Sequence, residues 1–256
     1  RGLSSSRGFS RGDSVQGDAM QAFDTKRRVQ WEMDTGVVKF NQKPKTGLAY
    51  LEAMGHLDAS DPRAVAAFLR ANADKLDKTV VGEYLGRERE YQKGFCYQVL
   101  HAYVDSMDFR DMEFDEAIRH YLSGFRLPGE AQKIDRMMEK FAERYCLQNR
   151  HVFPDPDTAF ILAFSVIMLN TDLHNPNIRE DRRMTKEGFI RNNRGVDSGG
   201  RLTDTFLAAV FDRIAAAPIS LKEDDRLRGG GDSAAAAVDT SPSTLQELLP
   251  FATAAS

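Results

Sequence analysis

The chain is 256 residues long, 41% hydrophobic and 29% charged, with a formal net charge of -3. That balance excludes a collagen-like, coiled-coil or wholly disordered chain, and its slight acidity gives no general reason to expect a nucleic-acid partner. Two cysteines, Cys96 and Cys146, are too few for a disulfide framework or a structural zinc site and fit a reducing compartment.

Residues 1–18 are Arg, Gly and Ser with almost no apolar side chains, which predicts a disordered N-terminal extension over residues 1–30. Residues 31–220 are expected to form the globular part, enough to bury about 70% of the unfolded surface without staples. Within it the apolar spacing is helical. Asp61-Pro62 supplies a cap and a first-turn proline, and Asp77 precedes an apolar run that Gly86 closes. Phe114, Ala117, Ile118, Tyr121, Leu122 and Phe125 step by three and four, as do Ile134, Met137, Met138, Phe141 and Tyr145. Lys133, Asp135, Arg136, Glu139, Lys140, Glu143 and Arg144 are assigned to the wet side of that second helix. Gly94 and Gly124 weaken two helices slightly. No alternating stretch, hairpin signal or repeat occurs. The fold class is therefore all-α, with about ten helices.

Residues 158–171 carry no charge, but the run is shorter than the ~20 residues of a membrane span. Residues 221–256 form a low-complexity C-terminal extension, in which Leu245, Leu248 and Leu249 are expected to make a short amphipathic turn closed by Pro250. The sequence begins without Met and shows no signal-peptide pattern, so it reads as part of a longer, cytoplasmic protein.

Two stretches ask for more than packing. In Phe125-Arg126-Leu127-Pro128-Gly129-Glu130, a Leu-Pro-Gly corner joins two periodic helices and Glu130 opens the second. A first-turn carboxylate complements the helix dipole; it is also a charge presented on a stiff corner. The second stretch is apolar from Phe160 to Leu169 except at Ser165, as in a central core helix, and Pro176 is expected to end it near Asp172. Asn170, Thr171, Asp172, His174 and Asn175 then gather at its C-terminal rim. His174 has no second histidine at ligand spacing, which favours a hydrogen-bonding role over a metal site. There is no GxxxxGK[ST], GxGxxG or GxSxG motif, so no nucleotide cradle or nucleophile elbow is present in the sequence.

Both stretches resemble the signature motifs of the Sec-seven domain, the catalytic module of guanine-nucleotide exchange factors for Arf-family small GTPases. Residues 41–51, the run Val81-Gly82-Glu83-Tyr84-Leu85-Gly86-Arg87, residues 125–146 and 166–178, and residues 189–195 also read like that family, over roughly residues 31–218. The resemblance implies a right-handed helical superhelix with an apolar groove. It implies that Glu130 is a glutamic finger that displaces Mg²⁺ and the β-phosphate of a bound nucleotide and so releases GDP. One unit-charge contact at about 4 Å corresponds to roughly a thousandfold in an equilibrium, before desolvation is subtracted.

By the same resemblance Arg126, Leu127, Asp135, Phe160, Phe164, Ile167, Met168, Asp172, His174 and Asn175 contact the GTPase. Ser165, Asp172 and Met184 match the large, brefeldin-sensitive branch, whereas Phe164 matches the resistant small members. The expectation is partial drug sensitivity that Phe164→Tyr increases. The domain itself is implied to need no cofactor or metal, although its substrate carries Mg²⁺ and guanine nucleotide. Its setting is vesicle traffic, in the cytoplasm at Golgi or endosomal membranes, with membrane contact only peripheral. One alternative is a module that binds a GTPase without exchanging its nucleotide. A hydrolase using Glu130 with Asp135 or His174 is disfavoured: five residues on a helix place the Glu130 and Asp135 carboxylates about 140° apart, poor geometry for a cooperating pair.

Overall fold

The computed structural model describes residues 11–153, 155–197 and 202–219. The expected C-terminal extension, with its Leu245–Leu249 turn, lies outside the described residues, as do residues 1–10. Among the described residues there are ten α-helices, two short 3-10 turns and no strand.

Contacts divide the chain into two compact units, Arg1–Ala59 and Ser60–Ser256. The first contains α1 (Arg11–Gln42) and α2 (Pro44–Ala53). They pack tightly because two glycines face each other's helix: a side chain on Gly36 would strike Leu51, and one on Gly47 would strike the backbone of Phe40. Val37, Phe40, Leu48 and Leu51 are buried there, and Glu32 meets His56 at 2.6 Å. Helix α1 covers residues 11–30, which composition alone assigned to a disordered extension. Low apolar content argues against a core, but residues 20–31 are rich in the helix formers Met, Gln, Ala, Lys and Arg, and the stretch is continuous with the part of α1 that packs on α2.

The second unit contains α3 (Pro62–Ala71), α4 (Lys78–Leu85), α5 (Phe95–Asp105), α6 (Phe114–Tyr121), α7 (Ala131–Gln148), α8 (Pro156–His174), α9 (Lys186–Asn193) and α10 (Asp204–Ala216). Start signals are realised as hydrogen bonds. Asp61 accepts from the Arg63 amide, Asp77 from Thr79 and Val80, and Asp155 from Thr158; Thr185 and Thr203 cap α9 and α10. The core is aromatic: Phe109, Phe114, Tyr121, Phe125, Phe141, Tyr145 and Phe153 are buried and meet edge to face, tilted or, for Tyr121 on Phe141, stacked. Tyr121 donates its hydroxyl to the Met137 carbonyl at 2.8 Å, which fixes α6 against α7.

Neither glycine that weakened the sequence reading lies inside an α-helix. Gly94 precedes α5 with φ 83°, following Gln92 and Lys93, which also have positive φ. Gly124 falls after α6, where Tyr103 fills the space of a side chain. Helix α8 runs to His174, two residues past the expected end, because Asn175 alone takes the extended backbone that Pro176 demands.

Candidate functional site

Residues 122–130 connect α6 to α7, and their backbone is seated on α4. The Arg126 amide donates to the Lys78 carbonyl at 2.9 Å, and the Arg126 carbonyl lies directly over Gly82, where any Cβ would collide with it. One turn on, Gly86 leaves room for Pro128 and for the stem of Lys133. The Arg136 guanidinium then donates to the Gly86 carbonyl at 2.8 Å. A notch made by Gly82 in α4 and Gly86 just past its end therefore holds the corner, and Arg126 and Pro128 are buried in it while Leu127 is half-buried. Gly129 does not use the left-handed region of backbone conformation.

Glu130 emerges from this seat with its side chain 67% exposed. It occupies the position before the first turn of α7 but makes no capping hydrogen bond. Instead it accepts from the Lys133 ammonium at 2.7 Å, and the same ammonium donates to Glu83 of α4 at 2.9 Å. The Lys133 hydrogen bond, helped by the charges of Lys133, Arg87 and Arg136, holds the Glu130 carboxyl below the usual carboxylate range. Burial disfavours a charged Lys133, but its bonds to Glu130 and Glu83 outweigh that and push its pKa up.

Lys133 is thus a correction to the sequence reading: it is buried, with its side chain 9% exposed, rather than on the wet side of α7. Asp135 and Arg136 are half-buried, and burial raises the Asp135 pKa. Sequence reasoning missed Glu83 and Lys133 as neighbours of Glu130. The three-residue spacing of Glu130 and Lys133 was a usable signal; the 50 residues between Glu83 and Lys133 hid the rest.

Helix α8 packs against α7, α9 and α10. Phe164 and Ile167 are buried, with the Phe164 ring edge-on to Phe160 at 5.0 Å, whereas Phe160, Ser165 and Met168 are half-buried. At its C-terminal end Asp172 accepts from the Met184 amide, bringing together two of the four drug-site candidates. His174 donates through Nε2 to the Ile214 carbonyl at 2.7 Å, so its ring ties α8 to α10. Asn175 caps α8 and accepts from the Asn177 amide at 2.9 Å, forming the turn around Pro176. The first stretch thus presents one ionised carboxylate, and the second presents half-buried apolar side chains ending in a hydrogen-bonded polar rim. Among the described residues no group of three or more His, Cys, Asp or Glu side chains could hold a metal.

The model of the Sec7 domain family matches residues 30–219. The chain is 50% identical over 223 residues to brefeldin A-inhibited guanine nucleotide-exchange protein 3 of Arabidopsis thaliana, covering 85% of this chain and 12% of that protein. It is 43% identical over 212 residues to the human brefeldin A-inhibited guanine nucleotide-exchange protein 1, covering 82% of this chain and 11% of that one. The chain therefore spans about an eighth of the length of these relatives. Among solved structures, the Sec7p catalytic domain is 42% identical with a TM-score of 0.66, covering 72% of this chain and 94% of that one. A Sec7 domain solved with ARF1-GDP and brefeldin A is 34% identical with a TM-score of 0.68, covering 80% of this chain and 99% of that one.

Proposed function

The chain belongs to the Sec7 domain family, and from that premise we propose that it catalyses GDP release from an Arf-family small GTPase. Glu130 is the group that acts. The observation that carries this reading is an ionised, largely exposed carboxylate on a corner whose backbone is locked into the glycine notch of α4. A small GTPase holds its nucleotide through backbone amides, a loop lysine and Mg²⁺. A carboxylate brought beside that site repels the β-phosphate, competes for Mg²⁺ and gives the lysine another partner. No covalent bond to the exchange factor forms, so contact energy must hold the nucleotide-free GTPase. The half-buried Phe160 and Met168 of α8, with the half-buried Leu127 and Asp135 beside the corner, suit an apolar contact with a polar edge, whereas Arg126 is buried beneath the corner and supports it from within.

Partial sensitivity to brefeldin A belongs to the same proposal, with Phe164, Ser165, Asp172 and Met184 forming the drug site. So does action at the cytoplasmic face of Golgi or endosomal membranes. No helix among the described residues is long and apolar enough to cross a membrane.

The decisive experiment follows release of a fluorescent guanine nucleotide from a panel of Arf proteins. Glu130→Lys is expected to reduce stimulated release to the GTPase's own rate while the helical circular dichroism stays unchanged. Stimulated release by Glu130→Lys would overturn the assignment, and loss of release without loss of GTPase binding by that variant would separate exchange from mere capture.

A further inference from the structure

We infer that Glu83 and Lys133 form a holding device for Glu130, in which Glu83 keeps Lys133 neutralised whenever Glu130 leaves it to enter a bound GTPase. Glu83 and Lys133 are positioning residues, and the inference rests on the exchange reading given above. Its basis is a three-centre arrangement: one ammonium, 9% exposed, donates at 2.7 Å to Glu130 and at 2.9 Å to Glu83. The two carboxylates differ in what they can do. Glu130 is mounted on the connecting corner and largely exposed, so its side chain can swing outward. Glu83 is mounted within α4 and half-exposed, so it stays.

A buried ammonium that loses its last carboxylate is costly, since burial disfavours the charged form. With Glu83 in place the departure of Glu130 exchanges one of two ionic hydrogen bonds, and Lys133 remains paired. Without Glu83, departure would strand Lys133. Arg136 cannot substitute, because its guanidinium is engaged with the Gly86 carbonyl and carries the same charge as Lys133. Lys133 thereby holds Glu130 in place before the encounter, and Glu83 lowers the cost of releasing it.

The test is a double-variant cycle on the intact chain. Glu83→Gln keeps size and the hydrogen-bonding oxygen but removes the charge. It is expected to lower the maximal rate of stimulated nucleotide release on the order of fivefold, the upper range for a partly exposed ion pair, without moving half-saturation in GTPase. In the Lys133→Met background the same substitution is expected to have no effect on the rate. An equal slowing in both backgrounds, or no slowing in the native one, overturns the inference. A second readout needs no GTPase: the carboxyl titration of Glu130, followed by carbon NMR, should move up in Lys133→Met and down in Glu83→Gln. Static titration in both variants also overturns it. Because this readout is independent of exchange, failure of the exchange reading, shown by an active Glu130→Lys, stays distinguishable from failure of the holding device.

Discussion

Glu130 holds its proton less tightly because of a neighbour three residues along the chain, and that dependence sets a pH profile. The hydrogen bond from Lys133, with the fields of Lys133, Arg87 and Arg136, places its folded-state pKa below the ordinary value. A carboxyl depressed in this way stays ionised as pH falls through the ordinary glutamate range near about 4.3 and takes up its proton only below it. Stimulated release, divided by the GTPase's spontaneous release and by the folded fraction at each pH, should therefore stay level down to that range. The acid loss should begin only beneath it, and Lys133→Met should shift it upward. A native midpoint at or above the ordinary glutamate value would contradict the role given to Lys133. At this scale the exposed corner carboxylate was legible from Leu-Pro-Gly-Glu alone. Lys133 was not, because a charged side chain flanking an apolar stripe reads as solvated until the carboxylate of a distant helix is seen above it.

Among the elements, helices with a chemical start signal were legible and close approaches were not. Asp61-Pro62 and Asp77 are hydrogen-bonded caps at the expected positions. The end of α8 was misplaced because the restriction before Pro176 is absorbed by one residue. The part of α4 that matters most is Gly82, whose reason for being glycine lies 44 positions away, in the carbonyl of Arg126 (126 − 82). Helix propensity alone says that glycine to alanine in a helix stabilises by about 1 kcal/mol. Here the added methyl would strike backbone, which cannot turn aside as a flexible side chain can, and overpacking of that kind costs about 1–3 kcal/mol. Gly82→Ala is therefore expected to lower the thermal midpoint and to reduce stimulated release, by displacing the corner that carries Glu130. Gly195→Ala, with nothing within 4 Å of the new methyl, is the control and should leave both unchanged. A stabilised Gly82→Ala in scanning calorimetry would refute the close approach.

Across the larger unit, the path from α10 to Ile219 is closed by side chains far away in sequence. Arg119 of α6 donates to the carbonyls of Arg213, Ala217 and Pro218, and Arg213 pairs with the buried Asp115 at 2.6 Å. Asn170, buried in α8, grips Ile219 on both sides: its amide donates to the Ile219 carbonyl at 3.2 Å and its oxygen accepts from the Ile219 amide at 2.6 Å. Sequence reading placed Asn170 in the polar rim of α8, since nothing local reveals a partner 49 residues on. Removing this side chain leaves a buried donor and a buried acceptor unmet, at about 1–3 kcal/mol each. For a unit of this size each kcal/mol lowers the midpoint by about 2–4 °C. Asn170→Ala should therefore melt several degrees lower. Arg179→Ala, which breaks an ion pair exposed on both sides, should melt unchanged, because such pairs contribute little. Equal midpoints for the two variants would show that the Ile219 segment is not held by Asn170, and that α8 serves the partner surface without also closing the fold.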